Sequence, residues 1–263
     1  MLVSQGRSIT SYVANEDVAN IFVIINDEQS VAIEVDKLWW GEHRRKVKIL
    51  TRDQISCPPY GTGWDSQQLC KLVTASISKE DYVLILDAKT WFVKPFVKTD
   101  IFPGDNKINV VLQGIQPVFQ SGWDYLINEF GIEDPKKQPG PSGVPYIMKP
   151  ASVRELFKYI ENKHNRSFRD WYREYSLTPT FITEFLLYAS WIYFNEGYDQ
   201  YTGEQPWEPV NIARSEGKLF NEKLKLMNNT NTLTASIHAD VKLSAKRKKE
   251  WNSFLIEKHL LKR

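Results

Sequence analysis

Cysteine is nearly absent from the sequence, with two residues, Cys57 and Cys70, in 263. That excludes the disulfide-stapled scaffold of a small secreted domain, and neither the cysteines nor the four histidines fall at structural-zinc spacing. An excess of either charge is missing too. With 34 basic against 32 acidic residues, the overall charge selects neither nucleic acid nor a membrane as partner. Long apolar runs are also lacking: no stretch of about eighteen uninterrupted apolar residues could span a bilayer, and the opening MLVSQGRSITSYVANED has no signal-peptide core. These absences predict a soluble protein of a reducing cytoplasm.

Aromatic rings, by contrast, are plentiful, with nine tryptophans, twelve tyrosines and thirteen phenylalanines. Such rings serve mostly as core, and a few could serve as stacking platforms for sugars or bases. The length suits one mixed α/β domain over residues 1–263.

Along the chain, IFVII at 21–25 and YVLIL at 82–86 are continuous apolar runs, the mark of strands covered on both faces, and KVKIL at 46–50 alternates like a half-exposed strand. Between them WDSQQLCKLVTASIS carries apolar residues at helical spacing, with Asp65 or Ser66 as the expected N-cap. Alternating strands and helices argue for a mainly parallel central sheet flanked by helices, with ligands at the carboxyl ends of its strands. INVVLQGI at 108–115 is a further expected strand. Residues 131–150 are so rich in proline and glycine that a long loop is expected, and long loops within compact domains are often functional. A helix is expected over 151–164. The segment TPTFITEFLLYASWIYFNEG is apolar on nearly every face, which predicts a helix buried on most sides, capped at Thr178 or Thr180.

Three constellations carry chemistry. The strand at 82–86 ends on Asp87-Ala88-Lys89, where a carboxylate could hold a metal or a ribose hydroxyl and an ammonium could meet phosphate oxygens; a surface ion pair is the plainer alternative. The same Asp-x-Lys spelling suits a metal-dependent nuclease, although the upstream acidic partner which that mechanism needs is not evident. Glu184 lies in the apolar helical segment, where a carboxylate is costly unless it is paired or lines a cavity; as a first-turn residue it could also simply complement the helix dipole. His238, in TASIHAD, points opposite to small apolar neighbours and could reach a metal, or merely form a hydrogen bond.

Taken in order, RSITSYV, IFVIIND, GTGWDSQQLCKLVTASISKEDYVLILDAKTWFVKPF, PSGVPYIM, TEFLLYASW and SIHAD resemble a nucleotide-sugar glycosyltransferase of the GT-A fold. More narrowly they resemble a bacterial and viral group with a Gly-Trp-x-x-Gln-Gln-x-x-Lys-Leu helix before the strand that bears an Asp-x-Asp-like signature. The likeness runs from about residue 7 to 260. It implies a Rossmann-like sheet whose first strand is missing or vestigial here, leaving Asn26 to contact base and ribose. It further implies that Asp87 is the first aspartate of the Asp-x-Asp motif, with Lys89 where the second, metal-binding aspartate would be, a departure that predicts weak metal binding. Glu184 falls at the base of inverting members and His238 at a late histidine on the metal or diphosphate.

The implied reaction moves a sugar from a nucleotide diphosphate, in the first instance a UDP-sugar, to a carbohydrate or other hydroxyl acceptor. Glu184 is expected to deprotonate the acceptor, while Mn2+ or Mg2+ on Asp87 and His238, with Lys89 and Lys71, steadies the leaving diphosphate. The loop over 131–150 would form the acceptor side through Ser142 and Gly143, facing Glu184 across a cleft. A catalytically silent nucleotide or sugar binder is the rival from another class. Finally, the basic helix expected over 241–263 carries Trp251, Phe254 and Leu255 in a stripe, which could lie on an anionic membrane but is expected to dock on the core.

Overall fold

Strands of three to six residues, of which only IFVII, VLI and YIM are unbroken apolar runs, and longer segments with helical apolar spacing give a mixed α/β fold. The computed structural model describes residues 1–26, 35–104, 107–109, 114–133, 144–177, 179–197, 208–212, 219–229, 232–237, 241 and 243–260. The first half comprises α1 (Leu2–Tyr12), β1 (Ile21–Ile25), β2 (Val47–Thr51), α2 (Gly63–Ile77), β3 (Val83–Ile85), β4 (Thr90–Phe92) and α3 (Gln120–Phe130). The second half comprises β5 (Tyr146–Met148), α4 (Pro150–His164), α5 (Phe168–Leu177), α6 (Glu184–Asn195), β6 (Glu208–Ile212), α7 (Phe220–Leu226), β7 (Thr232–Ile237) and α8 (Ala245–Glu257).

β1 pairs with β2 in parallel and β3 with β5 antiparallel, while β7 lies between an antiparallel β4 and a parallel β6. A mainly parallel central sheet is therefore not what the described residues form. They form three small sheets, and the antiparallel pairings come from β4 and β5, three-residue strands too short to show a period in the sequence. β5 corrects the loop expected over 131–150: Tyr146, Ile147 and Met148 are all buried, and burial of three consecutive apolar residues against β3 outweighs the turn-forming residues before them. The middle of the strand expected at 108–115, residues 110–113, lies outside those described.

Two helix starts also differ from expectation. The N-cap of α2 is Thr62, three residues before Asp65, because Thr62 forms a capping box: its hydroxyl accepts from the Asp65 N–H, and the Asp65 carboxylate accepts from the Thr62 N–H at 2.6 Å. α6 is capped by Thr183, whose hydroxyl accepts from Leu186 N–H at 3.2 Å, rather than by a residue near 178–180. Phe181 explains the delay, since its φ of 51° is left-handed and cannot continue a right-handed helix.

The largest core joins Leu69, Leu72 and Val73 of α2 to Leu156 and Ile160 of α4, Trp171 and Tyr172 of α5, and Leu186 and Leu187 of α6. A second core lies under β4, β6 and β7, where Trp251, Phe254 and Leu255 of α8 pack, Trp251 against Trp91 with ring centroids 5.5 Å apart. The apolar stripe of the basic helix is thus occupied by the fold and is not offered to a membrane, while Lys246, Lys248 and Lys249 face solvent. Among the described residues no helix is long and apolar enough to cross a membrane.

Candidate functional site

α2, packed through Leu69, Leu72 and Val73, turns Lys71 away from that core and toward the ends of two other elements. The Lys71 ammonium lies 2.8 Å from Asp87 Oδ1, just beyond β3, and 2.8 Å from Glu184 Oε1, the first residue of α6. Lys89 Nζ stands 3.6 Å from the other oxygen, Asp87 Oδ2. The Phe185 ring lies beneath Lys71, 4.9 Å from the nitrogen to its centroid. Four of the residues singled out in the sequence, Lys71, Asp87, Lys89 and Glu184, therefore form one cluster drawn from three separate segments.

The electrostatics of the cluster are set by competition between burial and pairing. Burial disfavours the charge on Lys71, but the Glu184 and Asp87 carboxylates outweigh it and hold the lysine above its ordinary pKa. Asp87 mirrors this: burial works against its charge, yet Lys71 and then Lys89 hold the carboxyl below its ordinary value. Glu184, with a side chain only 5% exposed, is the paired carboxylate that its apolar helix demands, and it also sits in the first turn where the helix dipole favours a negative charge.

Two amides fix the positions of these charges. Gln5 of α1, itself buried, donates to the Asp87 carbonyl at 2.7 Å and to the Thr90 carbonyl at 3.1 Å, while Thr90 N–H donates back to Asp87 O at 2.8 Å, closing the turn that carries Asp87 and Lys89. Gln68, one turn before Lys71, accepts from the Glu184 N–H and from the Tyr172 hydroxyl, each at 3.3 Å. Sequence reasoning missed both. A glutamine has no characteristic spacing, and these partners lie 82 to 116 residues away along the chain.

The remaining expectations fare differently. Asn26, at the carboxyl end of β1, donates to the carbonyl of Gly63 at 2.6 Å, which ties it to the first turn of α2, about 12 Å along the helix axis from Lys71. It is joined to the same helix but not to the charged cluster. Ser142, Gly143 and His238 lie outside the described residues, as does half of the loop that was expected to face Glu184, residues 134–143.

A divalent cation finds a poor fit in what is described. Both Asp87 oxygens face ammonium groups, so an incoming cation would meet two positive charges before its first ligand, and among the described residues no group of three acidic, histidine or cysteine side chains could hold a metal. No curated protein shows significant similarity to the chain. The profile of the family of unknown function DUF6492 matches residues 6–261, almost the entire length, and the chain belongs to that family.

Proposed function

We propose that the protein is a glycosyltransferase of GT-A type that transfers a sugar from a nucleoside diphosphate, a UDP-sugar in the first instance, to an acceptor hydroxyl. The observation that supports this best is the single lysine shared by a strand-end aspartate and a helix-start glutamate. A strand's carboxyl end is where open α/β folds take nucleotides, and that is where Asp87 stands, with Lys89 two residues on.

The charges suggest how such a centre works. At rest two ammoniums and two carboxylates balance. Lys71 engages Oε1 of Glu184, leaving Oε2 as the oxygen that takes the acceptor's proton. Once it has done so, Asp87 alone opposes Lys71 and Lys89, and the cluster carries a net positive charge. That charge develops in step with the negative charge on the departing diphosphate, so it stabilises the transition state more than the bound donor. The acceptor oxygen attacks the anomeric carbon from the face opposite the leaving phosphate, which gives an inverted product.

Glu184→Gln keeps shape and hydrogen-bonding reach but removes the base. It should lower transfer by about 100-fold or more and leave UDP binding, measured by calorimetry, close to wild type. Near-normal transfer by this variant would refute the role of Glu184, and a wild-type protein that binds UDP without consuming any UDP-sugar would be a binder and not an enzyme.

A further inference from the structure

Trp64, in the first turn of α2, leaves 44% of its surface exposed, whereas every other tryptophan among the described residues is buried or half-buried. Its ring is one of three. Trp64 stacks on Phe181 with centroids 5.3 Å apart and planes 14° from parallel, and Phe181 stacks on Phe119 at 5.7 Å and 5°.

The middle ring is held in place by force. Its left-handed backbone, φ 51°, is one that bulky residues avoid. The start of α3 imposes it. Ser121 Oγ donates to the carbonyls of Pro179 and Thr180 at 2.8 and 3.2 Å. Gly122 lets the Thr180 and Phe181 carbonyls come so near that a Cβ there would stand only 2.7 and 2.8 Å from them. Packing a phenylalanine into a core needs no such strain; strain of this kind gathers where a fold must present a group.

The slab of rings is continuous with the charged cluster. Trp64, Gln68 and Lys71 occupy positions i, i+4 and i+7, one face of α2. Along that face Trp64 meets Phe181, Gln68 accepts the Glu184 N–H, and Lys71 pairs with the Glu184 carboxylate. The rings begin about 10 Å along the helix axis from Lys71. They follow the segment that leads into Glu184, whereas Asp87 and Lys89 stand on another segment, the turn between β3 and β4.

We infer that Trp64, backed by Phe181 and Phe119, is the platform on which the acceptor lies, and that the acceptor is a pyranose sugar. This rests on the transferase reading above for the word acceptor; the ring platform itself does not. A pyranose presents a flat face of C–H groups that matches an indole ring, and its edge hydroxyls remain free to reach Glu184. Strain in the 179–181 segment keeps the platform preformed, which lowers the ordering cost of binding.

Saturation-transfer NMR on the full chain, with the methyl β-glycosides of glucose, galactose and N-acetylglucosamine, each with and without UDP, tests this directly. At least one glycoside should receive saturation at the C–H groups of one ring face. Trp64→Ala should weaken that binding by about tenfold or more, Trp64→Phe should largely keep it, and both variants should bind UDP with wild-type affinity in calorimetry. Absence of transfer to all three glycosides, or binding indifferent to Trp64→Ala, overturns the inference. Loss of UDP affinity in Trp64→Ala overturns it as well, since the ring would then stack a nucleobase. Trp64-dependent glycoside binding by a chain that ignores UDP upholds the platform and removes the transferase reading instead.

Discussion

Lys71 is the residue on which the candidate centre depends, because it neutralises two carboxylates that are otherwise close together and largely shielded from water. Lys71→Met keeps the volume of the stem and removes the charge, so Asp87 and Glu184 lose their shared partner. A loss of about 3–5 kcal/mol in urea unfolding is expected, and the double variant with Glu184→Gln should recover part of it. The same pairing sets a pH window. Asp87 titrates lower in the fold than in the unfolded chain, so its contribution is present above the unfolded value of about 3.9 and is lost as pH falls through the folded one. Lys71 titrates higher in the fold, so its contribution is complete below about 10.4 and disappears as pH rises through the folded value. The urea midpoint should therefore lose the Asp87 contribution only in acid, and Asp87→Asn should flatten that acid limb. Under the proposed function Asp87→Ala should in addition weaken UDP binding by about 1.5–3 kcal/mol, read by calorimetry. At this scale the sequence was informative where a charge sits in apolar company: Asp87 after a fully apolar strand and Glu184 in an apolar helix both had to find partners. Gln5 and Gln68 were silent, being neutral residues whose partners only the fold supplies.

Elements were legible where their apolar pattern is regular, whereas α3, α5 and β6, with eleven, ten and five residues, were not read from the sequence. α2, α4 and α6 show several turns of apolar spacing, and β1 is a five-residue apolar run; each lies close to where the pattern puts it. β4 and β5 have three residues apiece, too few for a period, and their pairings supply the antiparallel part of the topology. The starts of helices were misplaced for local reasons, a capping box at Thr62 and the backbone of Phe181. Thr62→Ala should cost about 1 kcal/mol in thermal or urea unfolding. Gly122→Ala is more instructive, because the new methyl meets two backbone oxygens, which cannot swing aside as a side chain would. A cost of about 1–3 kcal/mol is expected, together with a change in the near-ultraviolet circular dichroism of the Trp64, Phe181 and Phe119 stack.

Over the whole molecule, the basic end of the chain is bound to the body of the protein through α8. Trp251 is 6% exposed and Phe254 3%, so Trp251→Ala should cost about 3–5 kcal/mol, and the wild-type protein should stay in the supernatant when vesicles containing phosphatidylserine are sedimented at low salt. The charged cluster, too, is a property of the whole chain. Gln5 reaches across 82 residues to the turn that carries Asp87, and Lys71 across 113 to Glu184. Contacts of such sequence separation form late, after the loops between them have closed. On the ribosome Lys71 emerges long before α6, with at most one of its two carboxylates available, and the centre is completed only when the second half of the chain arrives. Loss of the first few residues, Gln5 among them, would likewise impair the centre without removing any of its charged groups, by releasing the turn that positions Asp87 and Lys89.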